Sequence, residues 1–160
     1  MNKISKEIIN ELLKLKTDNT LYHRENSTLE FKEQFNFAGL ADYLKDFAAF
    51  ANNNGGYLIF GVKDRPRTLI GMSHKSIEQF EKIDPQEITG GILEYFSSEI
   101  KYEYGSFDID GKIYGVFYVE EMKNKPVIAK KMQGMFLEMV KFITVTEEEL
   151  IKSDMRNLKL

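Results

Sequence analysis

Apolar residues recur at helical spacing from the start of the chain. Over residues 3–16, Ile4, Ile8, Ile9, Leu12, Leu13 and Leu15 mark an amphipathic helix, which Asp18-Asn19 closes. The next pattern has period two. In residues 29–35, Leu29, Phe31 and Phe35 alternate with Glu30, Lys32 and Gln34, as a half-buried strand requires, although Glu33 falls on the apolar side. Leu40, Tyr43, Leu44, Phe47, Ala48 and Ala51 then trace the face of a second helix, widened by Phe50. Asn52-Asn53-Asn54-Gly55-Gly56 stops that helix, because Asn and Gly tolerate the left-handed backbone of a C-cap.

Residues 57–62, Tyr57-Leu58-Ile59-Phe60-Gly61-Val62, are too short and too β-prone for a helix and predict a central strand buried on both faces. Arg65-Pro66-Arg67 makes a turn, and residues 68–71 predict a short return strand. Pro85 opens a helix through Ser98 that directs Ile88, Ile92, Tyr95 and Phe96 to the core. Residues 101–109 and 112–119 flank Asp110-Gly111, a hairpin signal. Edge strands are expected at 127–130 and 135–140, around Gln133-Gly134. A last helix should start at Thr146, with Glu147, Glu148 and Glu149 in its first turn. The pattern describes an α+β domain with no internal repeat or linker.

Composition narrows the class. A chain of 160 residues, 42% apolar and 12% aromatic, is long enough to bury a core. It has no cysteine, which excludes disulfides, thiolate metal sites and cysteine nucleophiles. No apolar run approaches the roughly 18 residues of a membrane span, and the charged, helical N-terminus is unlike a secretion signal. A cytoplasmic protein is expected. The net charge of −3 confines any phosphate-binding surface to a local patch.

Several catalytic templates are missing: G-x-x-x-x-G-K-[ST], G-x-S-x-G and H-E-x-x-H do not occur. The two histidines, His23 and His74, sit in polar surroundings and read as surface side chains. The acids offer more. Glu30 and Lys32 share one strand face, about 6.5–7 Å apart. Asp64 follows the end of the central strand, where ligands of α/β sheets gather. Glu25 reaches Glu30 only if Asn26-Ser27 turns the backbone, since five extended residues span roughly 17 Å. Three converging carboxylates suit Mg²⁺ or Mn²⁺, which prefer oxygen ligands and bridge to phosphate through water. The same acids also fit a solvated strand face. Lys63, Arg65 and Arg67 form one basic cluster, and Lys123, Lys125, Lys130 and Lys131 a second. Tyr57, Phe60, Tyr95 and Phe96 fall in core patterns and are not read as base-stacking platforms.

These segments resemble a known family. Glu25 to Lys32 (E-N-S-T-L-E-F-K), Ala49-Phe50-Ala51-Asn52, Gly55-Gly56 and Gly61-Val62-Lys63-Asp64 are similar in kind and order to the motifs of the Schlafen-type AlbA-like domain. The likeness is specific over residues 24–72 and looser to about 155. It implies a Schlafen-lobe domain over 21–160 with a mixed central sheet, which leaves the helix read from periodicity as a separate N-terminal segment over 1–20. In Schlafen endoribonucleases the matching residues form a metal-dependent site that cuts tRNA and rRNA. The resemblance thereby implies Glu25, Glu30 and Asp64 as catalytic Mg²⁺ or Mn²⁺ ligands, with Lys32 assisting at the phosphate. Lys63, Arg65 and Arg67 would bind nucleic acid, RNA rather than DNA, and a single lobe would act as a homodimer. One departure stands out: Glu138 occupies the place where the family often has arginine. The alternatives are a non-catalytic DNA- or RNA-binding regulatory module and an antitoxin-like interaction protein.

Overall fold

A computed structural model describes residues 2–130. In chain order the elements are α1 (Lys6–Leu12), β1 (Leu29–Lys32), α2 (Leu40–Asn52), β2 (Gly56–Phe60), β3 (Val62–Lys63), β4 (Thr68–Leu69), α3 (His74–Glu81), α4 (Pro85–Tyr95), β5 (Tyr102–Ile109) and β6 (Lys112–Val119). The main sheet is mixed, in the order β1-β2-β6-β5, with β1 parallel to β2 and the other pairs antiparallel. A small hairpin, β3–β4, follows directly from β2.

Alternation along β2 sorts the core into two layers. Leu58 and Phe60 face α2, α3 and α4, where they join Phe35, Phe47, Phe80 and Phe117. Ile59 faces the opposite side and packs with Ile9 and Leu13, alongside Leu29, Phe31 and Val116. The central strand is therefore buried on both faces, as its unbroken apolar run implied. This places Glu30 and Lys32, which pair with Leu58 and Phe60, on the α2 side at the sheet's outer edge.

The turn chemistry holds where it was local. Gly55 adopts φ +76°, and a Cβ on it would lie 2.6 Å from the Val119 carbonyl oxygen. Asp110 and Gly111 both take positive φ, as a two-residue hairpin turn demands.

Several boundaries differ from the expectation. The opening helix is shorter, capped by Ser5 Oγ accepting from Ile8 N at 3.3 Å, and Leu15 instead bridges to Leu21. β1 ends at Lys32, because the chain turns inward so that Phe35 enters the α2-side core and donates its N–H to Ser76 Oγ at 2.8 Å. That departure resolves the misplaced parity of Glu33. α3 was not anticipated. α4 stops at Tyr95, since Phe96 leaves the helix to bridge Ala129, and residues 127–130 contribute this isolated bridge rather than a strand. The elements expected over 135–140 and from Thr146, together with Lys131 and Glu138, lie outside the described residues. Among the described residues no helix is long and apolar enough to cross a membrane.

Candidate nucleic-acid interface

Glu25 is brought back by a tight turn. Asn26 Oδ1 accepts from both Thr28 N and Thr28 Oγ1 at 2.8 Å, and Asn26 N donates to Leu29 O at 2.9 Å. The turn returns the Glu25 carboxylate alongside β1, where Oε1 accepts from Phe31 N at 3.1 Å. The carbonyls of Thr28 and Lys32 accept from Tyr57 on β2 and from Gly61 just beyond it, so by alternation the Phe31 N–H lies on the free edge. Glu25 thus covers an open strand edge, a position that otherwise invites pairing with another chain. Its second oxygen, Oε2, accepts from Arg67 Nη2 at 2.9 Å. One side chain therefore ties β1 to the β3–β4 hairpin.

Glu30 and Lys32 form a second, linked group. Lys32 Nζ lies 3.9 Å from Glu30 Oε1 and 3.3 Å from Asp46 Oδ2, on α2. The latter contact is an ion pair without well-directed hydrogen bonding, and Asp46 Oδ2 is shielded from solvent. Burial raises the Glu30 carboxyl above the ordinary range, and the charges of Glu25 and Asp46 push it further against the pull of Lys32 and Arg67. Burial likewise raises Asp46, with Lys32 opposing. On Lys32 burial acts downward, but the close Asp46 carboxylate, then Glu30, outweigh it and its pKa rises. Lys32 is thus committed to joining β1 to α2. Asp46 escaped the sequence reading because that reading followed the apolar face of α2; its signal was Asp42 and Asp46, four residues apart on the helix flank.

Asp64 stands apart from these groups. It sits on the turn between β3 and β4 with its side chain 74% exposed, 3.8 Å from Arg65 Nε. Arg65 is 93% exposed and Lys63 is also on the surface, whereas Arg67 is held by Glu25. Of the second basic cluster, Lys125 donates to Asn53 O and Glu121, and Lys130 donates to Leu93 O. His74 is exposed beside Glu78, and His23 Nε2 is buried 3.8 Å from Glu11.

The carboxylates expected to share a metal ion each have a protein cation beside them: Arg67 at Glu25, Lys32 at Glu30 and Arg65 at Asp64. Among the described residues no group of three or more His, Asp or Glu side chains is placed to hold a metal. As placed, these side chains do not form a site for Mg²⁺ or Mn²⁺.

With fold and geometry in place, comparison with known proteins gives the class. Residues 25–141 match the family described as Schlafen, AlbA_2, and the chain belongs to it. An uncharacterized ATP-binding protein of Ureaplasma parvum serovar 3 is 40% identical over 139 residues, covering 78% of this chain and 38% of that protein. The chain thus spans well under half the length of that relative. A crystal structure of the DIP2311 protein from Corynebacterium diphtheriae superposes with a TM-score of 0.50 at 18% identity, covering 76% of this chain and 25% of the other. The N-terminal domain of a RecG-related protein from Nitrosomonas europaea gives a TM-score of 0.45 at 22% identity, over 70% of this chain and 75% of that one.

Proposed function

We propose that this domain binds nucleic acid, RNA in preference to DNA, by placing the β3–β4 turn against the phosphate backbone. The observation that supports this reading is how the charges are divided. Arg67 and Lys32 neutralise acids within the protein, while Lys63, at the end of β3, and Arg65, on the turn that follows, are exposed. Phosphate contacts of this kind add affinity through counterion release and position the ligand without reading sequence. Asp64 on the same turn limits the strength of the patch. Two copies acting as a homodimer would present two such turns to one RNA. Titration of labelled tRNA by fluorescence anisotropy tests the reading: Lys63→Ala and Arg65→Ala each weaken retention. Absence of RNA binding together with co-purification of a defined protein partner would support the antitoxin-like reading instead.

A second reading is metal-dependent endoribonuclease activity with Glu25, Glu30 and Asp64 as ligands and Lys32 at the phosphate. One observation favours it: the charge on Glu25 contributes to raising Glu30, so the two carboxylates share an electrostatic neighbourhood. It requires Arg67 to release Glu25 and the exposed turn to bring Asp64 inward. Cleavage of tRNA in Mg²⁺ or Mn²⁺ that disappears in folded Glu30→Ala protein would establish it. Intact RNA under both metals would leave the binding reading alone standing.

A further inference from the structure

A cleft at the opposite end of β2 from the basic turn holds the features of a base-binding site. It has a volume of about 360 Å³ and is lined by Lys3, His23, Thr28, Asn54, Tyr57 and Tyr118, among others. The volume lies in the range of small-ligand sites, roughly 300–1,000 Å³. Tyr57 and Tyr118 are cross-strand partners on β2 and β6, with ring centroids 4.9 Å apart. Although Tyr57 follows a core pattern in sequence, both rings are only half-buried. The Tyr57 hydroxyl donates to Lys3 O at 2.8 Å, which draws the N-terminal segment over the pair and sets Lys3 Nζ 5.9 Å from the Tyr118 ring centroid. Lys3 makes no ion pair among the described residues and no Asp or Glu lines the cleft itself, although Glu103, the β5 cross-strand partner of Tyr118, flanks it on the same sheet face. Asn54 is exposed and brings an amide with donors and an acceptor. A larger cavity of about 670 Å³ beside β5 carries Glu99, Glu103 and Glu120 against Lys101, which suits a phosphate-bearing ligand far less.

From this combination of aromatic faces, a free amide and a cation held in no ion pair, we infer that the Tyr57–Tyr118 cleft takes one unpaired nucleotide, stacking its base on the tyrosines and setting its phosphate near Lys3. The inference rests on the nucleic-acid reading above and deepens it. The turn over residues 24–29 borders both places: Glu25 holds Arg67 of the basic hairpin, while Asn26 and Thr28 line the cleft. Tyr57 and Lys63 are six residues apart, roughly 20 Å of extended chain. A single strand gripped at the turn therefore reaches the cleft within a few nucleotides. The selected substrate is RNA with an unpaired segment rather than a continuous duplex.

The test uses the full chain and a labelled, unstructured single-stranded RNA. Stacking on one aromatic ring predicts that Tyr118→Leu weakens binding by about 5- to 150-fold while leaving the slope of log K against log salt unchanged. Tyr118→Phe retains nearly all the affinity. The chain has no tryptophan but eight tyrosines, so RNA quenching of tyrosine emission sums over all of them, and the part lost in Tyr118→Leu reports the cleft. If Tyr118→Leu compromises folding, Lys3→Ala, on an exposed residue, serves in its place and is expected to reduce the salt slope by about 0.7. Adenosine monophosphate as competitor separates the sources. Displacement that depends on Tyr118 supports a free nucleotide as occupant, and a Tyr118 effect insensitive to the competitor supports the strand. Wild-type affinity in both Tyr118→Leu and Lys3→Ala, with Arg65→Ala still reducing the slope, overturns the cleft and leaves the basic turn standing. No RNA binding by the wild type overturns both.

Discussion

Replacing Lys32 by methionine tests whether this residue is a structural tie. Methionine keeps much of the apolar stem but removes the charge that lies 3.3 Å from Asp46 and 3.9 Å from Glu30. All three side chains are about a third exposed (30%, 28% and 33%), between the fully buried and fully exposed limits. Removing one partner costs about 3–5 kcal/mol in a buried pair, and an exposed pair contributes about 0–1 kcal/mol. An intermediate loss of about 2 kcal/mol is expected, which for a domain of this size lowers Tm by about 4–8 °C. The pH dependence carries the sign. Lys32 has a raised pKa, so its contribution is fully present below the ordinary lysine value and lost only as pH rises through the folded one. Glu30 and Asp46 are also raised, so the native state holds more protons than the unfolded chain, and stability falls as pH climbs through that window. Without Lys32 both carboxyls rise further, and the deficit grows from about pH 4 towards about pH 8. Thermal unfolding followed by circular dichroism across that range measures it. An equal deficit at both ends, or none near pH 8, refutes the tie.

Other perturbations follow from the same geometry. Glu30→Gln removes a half-buried carboxylate whose ionisation is disfavoured by burial, and should preserve or slightly raise Tm at neutral pH, with the gain disappearing in acid. Glu25→Gln keeps an oxygen for Phe31 N but loses the charge facing Arg67, costing about 1 kcal/mol in urea denaturation; adding Arg67→Ala should cost little more. Gly55→Ala combines positive φ with a Cβ 2.6 Å from a backbone oxygen, and should destabilise by more than about 1 kcal/mol, read as a lower urea midpoint.

The elements that were legible in sequence are those set by local chemistry. The face of α2, the Asn-Gly stop, the two-sided burial of β2 and the Asp110-Gly111 hairpin all depend on neighbours close along the chain. α3 escaped because its apolar face rests on little more than Ile77 and Phe80, and its core contact is a buried serine, Ser76, that holds the Phe35 N–H. The turn at Asn26-Ser27 was a condition the polar residues allowed; the partner to which it delivers Glu25 was not legible. Glu25 meets Arg67 across 42 positions of sequence, a pairing decided by where the β3–β4 hairpin folds rather than by any motif. The two glutamates of the motif are drawn to one edge of the sheet, as the spacing allowed, yet each faces a protein cation, and Asp64 remains on an exposed turn. Tyr57 read as a core position in an apolar run, and its half-exposed pairing was not legible, because Tyr118 joins it only through the antiparallel register of β2 and β6.

RNA binding through the hairpin requires exposed Lys63 and Arg65 to contact phosphate. The direct measurement is the salt dependence of binding to single-stranded RNA by wild type and by the Lys63→Ala/Arg65→Ala double variant. Two lost phosphate contacts predict that the slope of log K against log salt becomes shallower by about 1.4, with the fold and Tm unchanged. Superimposable lines for the two proteins, or no retention of RNA by the wild type at low salt, would contradict the account.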